Sequence, residues 1–129
     1  MSDVVDAIPY ARFLGVAVER VNGALECVLP FRDEIIGNPM LPAIHGGVIG
    51  AFLELTAILR LIDEGGTDRV PKPINFAIDY LRSARPSTTR ARADIFKLGR
   101  RIAVVHVVAW QDDTTRPVAS GNGKFLLAP

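Results

Sequence analysis

The chain has 129 residues, 15 Lys+Arg against 14 Asp+Glu, a formal charge of +1 and 49% hydrophobic residues. That length fits one domain, which can bury about two thirds of its unfolded surface without a disulfide or metal staple. Near-neutrality argues against a general polyanion binder, and a single cysteine, Cys27, excludes an intramolecular disulfide.

The N-terminus reads Met-Ser-Asp-Val-Val-Asp, and its first base is Arg12. That is the wrong polarity for a secretory signal. A first helical piece is expected over residues 4–14, interrupted by Pro9 and ended by Gly15. Val16, Val18 and Val21 then lead through Asn22-Gly23 into an apolar run at 25–29. Asn-Gly between apolar runs signals a hairpin. Residues 31–43 read as a loop punctuated by Gly37, Pro39 and Pro42.

Residues 44–62 form a proline-free run that reads as a helix, ended near Gly65-Gly66. It is apolar on nearly every side, so other structure must enclose it. Its most apolar part, 48–59, is far shorter than the ~20 residues of a membrane span. A cytoplasmic protein with no membrane and no nucleic-acid partner is expected. Strands follow. Ile74, Phe76, Ile78 and Tyr80 alternate with Asn75, Ala77 and Asp79, and a weaker alternation covers 91–98. Gly99-Arg100-Arg101 reads as a turn, 102–110 as an apolar strand containing His106, and 117–127 as the last strand. Four or five strands after one enclosed helix imply an α+β layer with an antiparallel sheet against the helix.

The sequence contains no Gly-x-Ser-x-Gly elbow and no phosphate-binding loop. Gly121-Asn122-Gly123 lacks a following helix and reads as a bulge or a close backbone approach. The two histidines stand sixty-one positions apart, so no metal site is expected. His106 is read as a core or interface histidine, and Cys27 as an inert buried thiol.

Glu54 is the one acidic side chain in the apolar part of the helix. It either reaches solvent or caps a backbone group, or is held in a cleft as nucleophile or general base. His45-Gly46-Gly47 stands at the helix start, where backbone N–H groups have no internal partner and the dipole favours negative charge. Two glycines there either permit close packing or let a carbonyl oxygen approach the donors. Glu54 lies nine residues after His45. On one helix that is about 13.5 Å of rise and about 180° of rotation. If both ends are catalytic, two chains must share the site across a twofold axis.

Asn38, His45-Gly46-Gly47 and Glu54 resemble the motif of PaaI-like hotdog-fold acyl-CoA thioesterases, in the His-Gly-Gly branch of the 4-hydroxybenzoyl-CoA thioesterase superfamily. The resemblance continues in Ile78-Asp79-Tyr80-Leu81-Arg82, in Gly99-Arg100 and in a final strand with Ala119 and Gly121. It covers nearly the whole chain from about Ile8, and implies a single hotdog domain over residues 1–129. In that fold a curved antiparallel sheet wraps one long central helix, and dimers pair their sheets edge to edge.

The resemblance also implies hydrolysis of an acyl-CoA thioester without a further cofactor, in a homodimer or homotetramer. The Gly46 N–H would hold the thioester oxygen, and Glu54 of the partner chain would attack or activate water. Asn38 would position the thioester or that water, and His45 would orient the helix start. Gly47, Arg82 and Arg100 would contact substrate or CoA. Two departures stand out: Ile58 occupies the position of a helper Ser or Thr in some relatives, and the proline common after Tyr-Leu-Arg is displaced to Pro86.

Seven cations lie between Arg82 and Arg101, against the single acid Asp94. They are either contacts for the phosphates of CoA or cations that solubilise turns and block strand edges. A non-catalytic acyl-CoA-binding protein and a hotdog enoyl-CoA hydratase are the alternatives. Glu54 argues against the first. Gly37-Asn38-Pro39 is only loosely similar to the hydratase motif, since Gly46-Gly47 follow His45.

Overall fold

The computed structural model describes residues 1–65 and 69–127. Two short helices open the chain, α1 (Ser2–Ala7) and α2 (Pro9–Leu14). Pro9 takes the first helical position, where its missing N–H costs nothing, and Gly15 ends the helix in the left-handed region at φ 75°. β1 (Ala17–Val21) and β2 (Ala24–Leu29) form the expected hairpin. Asn22 and Gly23 both adopt positive φ, 52° and 81°, as a two-residue turn between twisted strands requires.

The segment read as a loop is more ordered than its sequence suggests. It contains a 3-10 turn at Asp33–Ile35 and a two-stranded ribbon of β3 (Ile36–Asn38) and β4 (Ala43–Ile44). Strands of three and two residues leave no periodicity to read. They are held from outside: the Ile44 N–H donates to the Ala84 carbonyl at 2.9 Å, and the His45 N–H to Ile35 at 2.8 Å.

α3 (Gly46–Glu64) is the long helix. Gly65 follows it at φ 90°, and Gly66 lies outside the described residues. Four strands come after it: β5 (Lys72–Tyr80), β6 (Thr89–Leu98), β7 (Ile102–Trp110) and β8 (Ala119–Leu126). The six-stranded sheet is antiparallel throughout, in the order β1-β2-β6-β7-β8-β5. Register shifts in β5, between Pro73 and Asn75, and in β6, between Ile95 and Lys97, bend those strands.

Small residues on the sheet's inner face make room for the helix. Ala91, Ala93, Ala103, Ala109 and Ala119 are buried there, with Val105, Val107 and Phe125 between them. Against them α3 buries Phe52, Leu53, Leu55, Ala57 and Leu59. Thr56 is buried too, and its hydroxyl donates to the Phe52 carbonyl at 2.7 Å, so that hydroxyl is not left unpaired. Cys27 lies fully inside this core, and burial pushes its thiol up to about 11.

The Gly121-Asn122-Gly123 motif is a close approach. The Phe76 ring of β5 lies over both glycines, where a Cβ at Gly121 would come within 2.6 Å of the ring. At Gly123 a Cβ would also meet the Asn75 carbonyl oxygen at 2.8 Å, a backbone atom that cannot swing away. Gly123→Ala is therefore expected to destabilise the fold by about 1–3 kcal/mol, the cost of overpacking a filled site. Urea denaturation with an unchanged m-value would check it, and a midpoint equal to wild type would contradict it.

Candidate active site

The start of α3 is built by its own neighbours. His45 is the N-cap, at φ −55° and ψ 131°, and its Nδ1 accepts the Gly47 N–H at 2.9 Å. A capping oxygen usually does this work. Here an imidazole nitrogen does it, so Nδ1 carries no proton and the ring's hydrogen sits on Nε2. The carbonyl of His45 takes the N–H groups of Val48 and Ile49, at 3.0 and 3.2 Å. Gly37 lies flat against this histidine, since a Cβ there would stand 3.0 Å from the His45 Cα.

These bonds leave one donor. Gly47 spends its N–H on His45, while the Gly46 N–H has no partner among the described residues, and Gly46 is exposed. It opens onto a cleft of about 410 Å³ between α3 and the end of β5, lined by Ile44, Gly46, Ile49, Tyr80, Arg82 and Val118. A free amide at a helix N-terminus, facing a cleft, is built to polarise a carbonyl oxygen.

Glu54 sits eight residues further along α3, about 12 Å up the axis. It does not line the cleft. It is partly buried and forms no hydrogen bond or ion pair among the described residues. Removal from water, with nothing to offset it, raises its pKa above the ordinary 4.5. Gly47, Ala51 and Glu54 follow one another at helical spacing along a side of α3 that the sheet does not cover.

Beside that uncovered side runs β5, whose outer edge is unpaired. Ile74, Tyr80 and Leu81, in and just past this strand, are 53%, 56% and 50% exposed. A nine-residue free edge with exposed apolar side chains is a template for strand pairing.

Asn38, at the end of β3, accepts the Met40 N–H on its Oδ1 at 2.9 Å. That bond fixes the turn and leaves the side-chain amide hydrogens as donors. Arg82, just past β5, donates to the Pro117 carbonyl at 2.7 Å and stands between the first cleft and a second of about 320 Å³. Arg85, Gln111 and Arg116 line that second cleft.

Arg100 is elsewhere. It follows β6 at the sheet end where Ile102 and Lys72 both pair Leu126, whereas Arg82 follows Tyr80 at the other end. Eight strand residues, about 27 Å, separate the two ends. Within one protomer Arg82 and Arg100 do not converge.

The basic run of 82–101 divides further. Arg90 and Arg92 bond the buried carboxylate of Glu26 at 2.8 and 3.1 Å, and Arg90 also pairs Glu19 at 2.8 Å. Arg85 pairs Asp112. Three of the seven cations are thus bound to acids of the chain itself. His106, on the outer face of β7, shares a 2.7 Å hydrogen bond with Asn122 and stacks on Phe96.

Tyr80 was not singled out by its sequence position, yet its hydroxyl donates to the Gly46 carbonyl at 2.8 Å. The available signal was a polar-tipped side chain in the same inward phase as Phe76 and Ile78. Among the described residues, no group of three or more His, Cys, Asp or Glu side chains is placed to hold a metal, and no helix is long and apolar enough to cross a membrane.

This fold is that of a thioesterase. Residues 41–118 match the family model of the Thioesterase superfamily, and the chain belongs to that family, with its hotdog fold. It is 27% identical to the medium/long-chain acyl-CoA thioesterase YigI of Salmonella typhimurium, over 93% of this chain and 86% of that protein. A crystal structure of a Chromobacterium violaceum protein superimposes with a TM-score of 0.77 at 40% identity, covering 98% of this chain and 88% of that one. A Bacillus halodurans protein solved with CoA shares the fold, with a TM-score of 0.79 at 21% identity, covering 99% and 90% of the two chains.

Proposed function

We propose that this protein hydrolyses acyl-CoA thioesters at a site shared between two copies of the chain. The observation that carries the proposal is the free Gly46 N–H on its cleft, with Glu54, an acid without a partner among the described residues, about 12 Å away along the same helix. One chain supplies the donor and the other the acid. Antiparallel pairing of two β5 edges would join the sheets and cover the side of α3 that carries Glu54.

In this reading the thioester oxygen accepts the Gly46 N–H, which draws electron density from the carbonyl carbon. The partner's Glu54 carboxylate either attacks that carbon, forming an anhydride that water then opens, or takes a proton from a water that attacks. The tetrahedral intermediate keeps its oxyanion on Gly46 and collapses by breaking the C–S bond. The thiolate of CoA leaves and takes a proton, so one water is consumed and one acid and one thiol are formed. Asn38 orients the thioester or the water through its free amide hydrogens. His45 holds the helix start and, with Nδ1 occupied, is not the base. Gly47 gives the substrate room beside the donor. No cofactor takes part beyond the CoA carried by the substrate.

Arg82 borders both clefts and is the arginine best placed for the phosphates of CoA. Arg100 serves only a substrate that also lies across a partner chain. Two comparisons support CoA as the carrier: the curated relative acts on acyl-CoA, and the Bacillus halodurans neighbour was solved with CoA. Thiol release from a panel of short, medium, long and aryl acyl-CoA esters tests the reading. Turnover of at least one is expected; a folded protein that hydrolyses none contradicts it.

The pH profile is a second check. Glu54 acts as the carboxylate, so kcat/KM must rise with pH as it loses its proton. Burial raises its pKa, which places the midpoint of the acid limb above 4.5. A limb centred at or below that value would mean that another group titrates.

A further inference from the structure

We propose that Tyr80 is a positioning residue for the oxyanion donor, holding the first turn of α3 so that the Gly46 N–H points into the cleft. The inference rests on the shared-site reading above and adds a residue to it.

The argument begins with the weakness of the site. The donor amide stands at Gly46-Gly47, and glycine has the freest backbone of any residue. A misaimed donor loses most of its effect on a developing oxyanion. The peptide unit that joins Gly46 to Gly47 is held at both ends. Its carbonyl oxygen accepts the Tyr80 hydroxyl at 2.8 Å, and its N–H donates to His45 Nδ1 at 2.9 Å. The preceding unit, which carries the donor, is held by its own carbonyl through Val48 and Ile49. With both units fixed, Gly46 keeps little freedom to turn.

The surroundings fit this role. The Tyr80 ring lies against Gly46, where a Cβ would meet it at 3.5 Å. Gly50, one turn on, is the position with no room for a side chain: a Cβ there would stand 3.2 Å from the Tyr80 oxygen and 2.8 Å from Ile78 Cδ1. Two glycines on one face of α3 thus let the helix settle onto β5. The phenol bridges the two elements through its hydroxyl, and Tyr80 also lines the cleft.

Tyr80→Phe keeps the ring and removes the hydroxyl. It is expected to lower kcat about tenfold while KM stays within about twofold, since the donor is loosened rather than lost. A residue that merely supports the fold would lower the melting temperature without moving the carbonyl of a bound substrate. The decisive readout is therefore infrared: in a Glu54→Ala background, the C=O stretch of bound acyl-CoA should shift less when Tyr80 is also phenylalanine. If Tyr80→Phe does not fold, 3-fluorotyrosine at position 80, a stronger donor, should enlarge the shift instead.

An unchanged kcat, a loss carried entirely by KM, or an unchanged carbonyl stretch would overturn the proposal. If the wild type turns over acyl-CoA and Tyr80→Phe matches it, only the role of Tyr80 falls. If the wild type releases no thiol, the hydrolase reading falls and takes this one with it.

Discussion

Glu54→Ala is expected to lower kcat at least about 10²-fold on any acyl-CoA that the wild type hydrolyses, the scale of a positioned acid–base group. The loss should fall on kcat and kcat/KM alike, because the carboxylate acts on the reacting carbon and not on the CoA that anchors the substrate. The variant should also remain folded. Glu54 is a lone, partly buried acid whose pKa lies above its value in an unfolded chain. For an acid shifted upward, the folded state favours the protonated form. The ionised group then costs stability above the folded pKa, and that cost fades as pH falls to the unfolded pKa. At pH 7 the melting temperature of Glu54→Ala should therefore equal or exceed that of the wild type. A drop in both activity and melting temperature would assign Glu54 a structural role.

Gly46→Pro tests the other half of the site, and the backbone suits it well. Proline at the first position of a helix removes an N–H that the helix does not use. The residue before a proline must be extended, and His45 already is, at φ −55° and ψ 131°. The nearest atoms a Cβ at Gly46 would meet belong to Tyr80, from 3.5 Å, an ordinary contact. The substitution thus deletes the free donor and little else. Removing one oxyanion donor costs about 10²–10³ in kcat. A loss of that size, with helicity retained, is the expected result. Near-wild-type turnover would mean that the thioester oxygen is held by something other than Gly46.

The fold was legible because local signals agreed with one another. Asn22-Gly23 is a pair that a tight hairpin prefers, and both residues take positive φ. Residues 44–62 were too apolar to lie free on a surface, and the sheet covers the helix Gly46–Glu64 except along the side of Gly47, Ala51 and Glu54. The ribbon at Ile36–Asn38 and Ala43–Ile44 was not legible, because its geometry comes from Ala84, far along the chain. Strand order was equally hidden: nothing local says that β5 goes to the far edge beyond β8.

The site divides in the same way. The helix start and its distance from Glu54 are properties of one helix, and sequence spacing alone showed that they cannot meet within one chain. The arginines depended on cross-strand partners. Glu26, more than sixty residues before Arg90 and Arg92, claims both. Arg82 and Arg100 looked equivalent beside their motifs and lie at opposite ends of the sheet. Tyr80 sat in a motif already noticed, but its bond to Gly46 joins a strand to a helix start thirty-four residues earlier.

Subunit complementation tests the shared site most directly. Gly46→Pro and Glu54→Ala chains, each nearly inactive alone, are mixed in equal amounts under conditions that allow exchange. Random pairing makes half the dimers mixed, and each mixed dimer holds one site with both groups intact. Recovery of about a quarter of wild-type activity is the predicted result for a twofold site. Activity that stays at the level of the two parent variants, with exchange confirmed by mass, would place donor and acid in the same chain and contradict the account.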